Sequence, residues 1–427
     1  MQKICVIAID RAKKDLSQAL EMLSSEYNIA IDSYLLVSTS FKASNAYKGD
    51  EANGFFREIV VDFNDSSLLK QTIQNITSSY ETVVPHCIVE AAMSDYIKAI
   101  PYFKNSYVQN PVSLEIASEK TKMRKAFASY APEITPKFAV IESLEDFDNY
   151  DFSQFNYPLI IKPNGLTASY LVSKCNTYEQ LVEKVKIAFS QVEELYKREH
   201  GVGKKSFVIE EFIEGELYSI DAYVLNDGQI EYLPPVRVVT SHDVGLPGFY
   251  GHERFLPTDL TEQEIQEANL CVKKTIDAIG LRNSTAHIEL YNTVNGWKTV
   301  EIGPRIGGYR QELYEKVYGI QHFYNDLLIH FGKSPRITLK KYCYAAAINI
   351  YPTNEGKITA IKGIDDAQSV KGVFKLTVHA TVGSLAKFAI NGGKYTVDAL
   401  IEGVNFNELM KSIQEVRSLI NIEVSNE

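Results

Sequence analysis

The stretch Ala286-His-Ile-Glu-Leu-Tyr291, followed by Trp297-Lys-Thr-Val-Glu-Ile-Gly-Pro-Arg-Ile-Gly-Gly308, reads as two apolar-alternating strands joined at Asn295-Gly296. Asn-Gly favours tight hairpins because both residues tolerate positive φ. Side chains alternate between faces along a strand, so His287, Glu289 and Tyr291 share one face, and Thr299, Glu301 and Gly303 share one on the partner strand. In that register Glu289 and Glu301 are neighbours, with Cβ atoms about 5 Å apart. A lone glutamate on an exposed strand usually faces water. Two at matched positions repel each other unless a cation sits between them, and a hard divalent ion carrying nucleotide phosphates suits an all-oxygen site. Arg305 adds a fixed positive charge, and Gly307-Gly308 follows it.

The chain has 427 residues, enough for two to four domains, with 45% hydrophobic and 23% charged residues, as in ordinary globular proteins. No apolar run approaches the ~20 residues of a membrane span, so no membrane partner is expected. The net charge of −10 argues against a nucleic-acid surface. Cys5, Cys87, Cys175, Cys271 and Cys343 are scattered without a CxxC pair and read as apolar filler in a reducing compartment. A strand begins at once (Ile4–Ile9) without a signal-peptide pattern, so a cytoplasmic location is expected.

Strand and helix patterns alternate over the first 110 residues or so, which predicts a doubly wound parallel sheet. GxGxxG is missing after the first strand, so a dinucleotide site there is not expected. One helix is predicted near Ser113–Tyr130. A long one starts at the capping box Thr177-Tyr-Glu-Gln180, and another at Thr261-Glu-Gln-Glu264, stopped by Gly280. Residues 234–257 are rich in Gly, His and Pro and read as a long functional loop. Arg237, His242, His252 and Arg254, with Phe249 and Tyr250, make it a candidate lid and substrate-carboxylate clamp.

Two further clusters carry chemistry. Lys162 ends the strand Leu159-Ile-Ile-Lys162 before a small-residue loop that includes Ser169, a place suited to gripping phosphate oxygens. In Val208-Ile-Glu-Glu-Phe-Ile-Glu-Gly-Glu216, the backbone near Phe212 and Ile213 suits adenine. Glu210 suits its exocyclic amine, and Glu216 the ribose hydroxyls. In isolation these segments equally describe a snorkelling lysine and an acidic turn.

Their order resembles the ATP-grasp superfamily, and within it carboxylate–amine ligases of the bacterial L-amino-acid (dipeptide) ligase type. The resemblance rests on Glu119-Lys120-Thr-Lys-Met-Arg124, Ile161-Lys-Pro163, Glu210-Glu-Phe-Ile213 with Gly215-Glu216, His287-Ile-Glu289, and Glu301-Ile-Gly-Pro-Arg305 with Gly307-Gly308. It implies an α/β protein, α+β in its centre. An N-terminal α/β domain (1–112) would precede an ATP-grasp domain (113–340), made of a linker helix (113–135), a lid-like part (136–215) and a larger catalytic part (216–340). A small β-rich C-terminal part (341–427) would follow.

The resemblance further implies ATP and Mg²⁺ as cofactors, with Mn²⁺ as the alternative ion. Lys120 and Lys162 would hold ATP phosphates, Glu210 and the Ile213 backbone adenine, Glu216 ribose, and Glu289 with Glu301 the metal. Arg305 would stabilise the acyl-phosphate and the tetrahedral intermediate, with Lys162 as its catalytic partner. His287, Gly307, Gly308 and Arg310 join the substrate candidates. The partners implied are a small carboxylate and an amine, and a homodimer is common among relatives.

Two departures stand out. Gly303 occupies a position that is commonly Asn, which leaves one metal ligand to water. The loop Asn164–Val172 has a single glycine where the superfamily pattern is glycine-rich. Two alternatives stay open on the sequence: a carboxylase acting through carboxyphosphate, and a nucleotide-binding protein with little turnover.

Overall fold

The structure is a computed structural model that describes residues 3–44, 46–104, 106–166, 171–198, 203–246, 250–388 and 393–425. The N-terminal part is a four-stranded parallel sheet in the order Arg57–Val61, Ala30–Ser38, Lys3–Ile9, Thr82–His86. Strand alternation divides its core. Cys5, Ile7 and Ile9 pack with Leu69 and Ile73 of the helix Ser66–Thr77, while Val6 and Ala8 pack with Leu16 and Leu20 of the helix Lys14–Tyr27. Phe323, Leu327 and Leu328 of the helix His322–His330 belong to this second cluster. The N-terminal sheet is thereby fixed to the catalytic part by buried apolar area.

The lid-like part is a four-stranded antiparallel sheet, Phe138–Ile141, Phe207–Glu211, Leu159–Pro163, Ser173–Cys175. The helix Tyr178–Arg198 covers it through Leu181, Val185, Ala188 and Val192. A larger antiparallel sheet runs in the order Gly296–Gly303, Ser284–Thr293, Glu216–Val224, Val236–Thr240, Gly251–Leu256, Tyr344–Ile350, Val397–Gly403, Val373–Val378. The β-rich C-terminal segment therefore extends the catalytic sheet. Its remaining strands form a small sheet of Leu385–Ala386, Gly356–Lys362 and Asn421–Ser425. Among the described residues no helix is long and apolar enough to cross a membrane.

Three sequence expectations change. The predicted helix at Ser113–Tyr130 is two, Pro111–Ser118 and Lys120–Tyr130, broken where Glu119 adopts φ −123° and ψ 109°. The Glu119 carboxylate lies 2.6 Å from the Lys122 ammonium and accepts a hydrogen bond from Asn164 Nδ2 at 3.3 Å. These ties hold the start of the second helix, and with it Lys120, against the lid. Residues 234–257 are not one long loop. Val236–Thr240 and Gly251–Leu256 are strands that pair with each other, and the second pairs with Tyr344–Ile350 at four positions. The prolines flanking that region hide the alternation of Val236-Arg-Val-Val-Thr240.

The acidic hairpin contains a bulge. Glu289 faces Glu301 as expected, but Leu290 then pairs with Thr299. One extra residue reverses the side-chain faces beyond it. Thr299 consequently points away from Glu301 and is buried, its Oγ1 2.7 Å from Thr275 Oγ1 on the helix Glu262–Ile279.

Because the C-terminal strands share the catalytic sheet, Ile348→Ala, at a fully buried position, is expected to destabilise that whole unit by ~2–5 kcal/mol. Urea unfolding followed by circular dichroism and by fluorescence of Trp297, the single tryptophan of the chain and part of the hairpin, should shift together to lower urea.

Candidate nucleotide and metal site

A cavity of about 650 Å³ lies where lid, linker helix, hairpin and C-terminal strands converge. Lys120, Lys162, Glu210, Glu289, Glu301 and Arg305 all line it. Residues separated by 185 positions in the sequence thus share one space, as the ordered motifs predict.

On the hairpin, the two carboxylates experience opposite fields. Burial would raise the Glu289 pKa, but His287 outweighs it and holds the carboxyl below the usual range. The Glu301 pKa is raised by burial and then by the Glu289 charge. Among the described residues the Glu301 carboxylate makes no hydrogen bond or ion pair, and the Lys120 and Arg305 charges near it do not offset burial and Glu289. That arrangement fits a divalent ion. No group of three or more His, Cys, Asp or Glu side chains clusters as a metal site among the described residues. The protein offers two carboxylates and leaves the other coordination positions to phosphate or water oxygens, the usual manner of Mg²⁺. Gly303, opposite His287 in the register, supplies no side-chain ligand.

Asp221 organises the wall behind this pair. Its carboxylate lies 2.6 Å from His287 Nδ1 and 2.9 Å from His322 Nε2, and it accepts the Gly307 N–H at 2.9 Å. Burial alone would raise its pKa, but the two histidines hold it far below the usual range. His287 is raised in turn: burial acts against its charged form, and Asp221 overrides that. Gly307 must be glycine here, since a Cβ would lie 2.4 Å from His287 Nδ1. Gly308 meets no such obstacle. Arg310 is buried, donates to the Gly308 carbonyl at 2.9 Å and bonds Ser219 Oγ. Arg305 donates to Glu90 Oε2 at 2.6 Å and to the Ile306 carbonyl at 3.1 Å.

In the nucleotide arm, Lys120 donates to the Leu166 carbonyl at 2.9 Å. Lys162 bonds Glu210, which also receives Arg124 Nε at 2.7 Å. Burial would raise the Glu210 pKa, but the Arg124 and Lys162 charges bring it down to about 2. Phe212 and Ile213 line the cavity, with Lys174 Nζ 3.9 Å above the Phe212 ring. Glu216 is exposed and receives Arg237 at 3.1 Å. Ser169 and Phe249 lie outside the described residues.

The proposed clamp is only partly assembled. Arg254 and Tyr250 line the cavity, Arg254 lying 5.3 Å over the Tyr309 ring. Arg237, His242 and His252 do not line it. Arg237 is turned to Glu216 and to the Leu217 carbonyl, His242 packs edge-on to Phe212, and His252 faces Arg417 at 3.2 Å. Burial followed by the Arg417 charge lowers the His252 pKa to about 4. The strands that carry Arg237 and His252, and the 3-10 turn His242–Val244, keep them out of the cavity lining, which a loop reading does not foresee. Sequence reasoning also misses Glu90, Asp221, Asn349, Tyr351 and Tyr395. Only Asp221 carries a signal: an acid inside the largely apolar strand segment Leu217-Tyr-Ser-Ile-Asp-Ala-Tyr-Val224 needs buried partners.

The ATP-grasp domain family matches residues 155–312, and L-amino acid ligase C-terminal domain 2 matches residues 349–425. The chain thus contains an ATP-grasp domain. Phosphoribosylamine–glycine ligase from Methanosphaera stadtmanae is 28% identical over 208 residues, 45% of this chain and 45% of that protein. The match thus spans less than half of that relative's length. D-alanine–D-alanine ligase from Buchnera aphidicola is 20% identical over 288 residues, 63% of this chain and 82% of that one. The crystal structure of L-amino acid ligase from Bacillus licheniformis shares the fold with a TM-score of 0.78 at 18% identity, covering 100% of this chain and 99% of that chain.

The raised pKa of Glu301, set by burial and the Glu289 charge, has a consequence for stability. Replacing Glu301 by Gln is expected to raise the melting temperature of the metal-free protein by a few degrees, because a buried like-charge repulsion is removed. Added Mg²⁺ with ADP should stabilise the wild type more than the variant, as differential scanning fluorimetry would read.

Proposed function

We propose that this protein is an ATP-dependent ligase that activates a small carboxylate, of the amino-acid class, as an acyl-phosphate and joins it to an amine. The observation that supports this reading is the convergence on one cavity of two lysines, two facing carboxylates and Arg305. A carboxylate is a poor electrophile. Its oxygen attacks the γ-phosphorus of ATP and ADP departs. The amine nitrogen then attacks the acyl carbon, phosphate leaves, and a proton is lost from nitrogen.

Phosphoryl transfer needs alignment and charge neutralisation more than covalent help. Lys120 and Lys162 supply positive charge to the triphosphate from two different elements. Glu289 and Glu301 would hold Mg²⁺, which supplies charge neutralisation between the phosphates and the reacting carboxylate. His287, held by Asp221, fixes the orientation of Glu289 without donating a proton to substrate. Arg305, itself fixed by Glu90, faces the charge that develops on the acyl oxygen. Asn349, Tyr351 and Tyr395 close the C-terminal side, where an acceptor would be enclosed away from water.

A phosphate-release assay over amino acids, singly and in pairs, tests the reading. ADP and phosphate should form only when an acid and an amine acceptor are both present. Arg305→Gln should lower kcat by ~10²–10³, and Glu301→Gln should abolish turnover. Undiminished turnover in Glu301→Gln, or phosphate release that depends on bicarbonate and needs no amino acid, would overturn it. ADP binding with no turnover across the panel would reduce the protein to a nucleotide binder.

A further inference from the structure

Arg124 sits at the junction of three elements and has no part in the chemistry above. It lies on the linker helix Lys120–Tyr130. Its Nε and Nη2 meet the two Glu210 carboxylate oxygens at 2.7 and 3.3 Å, and its Nη1 donates to the Thr299 carbonyl of the hairpin at 2.9 Å. Glu210 belongs to the lid sheet, so one guanidinium joins linker, lid and catalytic hairpin. Lys162 shares the Oε1 atom that Arg124 Nη2 also reaches. The three groups differ in access: the side chains of Arg124 and Glu210 are 2% and 1% exposed, that of Lys162 15%.

From this geometry, and resting on the nucleotide reading above, we infer that Arg124 is the permanent counter-ion of Glu210, which lets Lys162 exchange Glu210 for a nucleotide phosphate. A buried carboxylate stripped of its only cation is strongly destabilised. With Arg124 occupying both oxygens side-on, Glu210 remains compensated when Lys162 leaves. The hydrogen bond to the Thr299 carbonyl stops Arg124 from following it. Without Arg124, Lys162 becomes the sole counter-ion and stays bound to Glu210, away from the phosphates. Arg124 is thus a positioning residue that acts on the ligand through Lys162.

The ratio of the adenosine Kd to the ADP Kd, measured calorimetrically in metal-free buffer, isolates the contribution of the phosphates. Arg124→Gln should lower this ratio about 10-fold, the effect of one charge-assisted contact. Adding Glu210→Gln to that variant should restore it, because Lys162 is released again. A purely packing role for Arg124 would change both affinities together and leave the ratio as in wild type, which overturns the inference. So does a double variant that stays at the Arg124→Gln value. Should Arg124→Gln fail to fold, Glu210→Gln alone decides: a higher ratio than wild type supports the exchange, and an unchanged or lower one overturns it. Failure of the wild type to bind ADP is a distinct result and takes the nucleotide reading down with it.

Discussion

Electrostatic repulsion inside one hairpin governs the architecture of this site. Glu289 and Glu301 face each other across adjacent strands, inside a cavity whose walls exclude much of the solvent that would screen them. The surrounding residues answer that repulsion unequally. Glu289 is drawn toward His287 and its anionic form is favoured; Glu301 is left with neighbouring charge but no bonded partner. The asymmetry gives one carboxylate a neighbouring partner, His287, and leaves the other unbonded, which suits the cation and nucleotide proposed for the site.

Two buried networks carry that arrangement into the fold. Asp221 binds His287, His322 and the Gly307 amide, so the hairpin strand Ser284–Thr293, the helix His322–His330 and the glycine loop after Arg305 are fixed by a single carboxylate. Arg124 does the equivalent work between lid and hairpin. Each network is dense enough that its central charge is compensated from more than one side. Buried ions of this kind contribute less to net stability than to the uniqueness of the geometry, since apolar packing alone would not dictate which carboxylate oxygen meets which nitrogen.

Much of this was readable from residue order, because strand periodicity and turn chemistry are local. The Asn295-Gly296 turn and alternation around it suffice to bring Glu289 opposite Glu301. The capping box at Thr261 and the Gly280 stop bound a helix with the expected limits. What failed depends on non-local pairing. The bulge after Glu289 turns Thr299 to the opposite face, and nothing in Lys298-Thr-Val300 announces it. The strand Val236–Thr240 is only five residues long and lies among prolines, so its partners on either side, not its propensity, make it a strand. Glu119 breaks a helix because of Lys122 and Asn164, the latter 45 residues away.

The same non-locality explains why substrate choice is the least legible property of the chain. The residues proposed to meet phosphates and metal lie on the hairpin, lid and linker helix, and their motifs follow one another in order along the sequence. The opposite wall includes Asn349, on the strand Tyr344–Ile350, and Tyr351 and Tyr395, which flank strands that join the larger sheet after residue 340. Tyr309 connects the two regions: its hydroxyl donates to Asn349 Oδ1 at 2.9 Å and lies 3.2 Å from Asp398 Oδ2, while Arg254 covers its ring. No catalytic step constrains the size of these side chains, only the shape of the molecule they enclose. A sheet continuous across both regions can therefore keep the geometry proposed for phosphoryl transfer constant while its C-terminal strands vary the pocket.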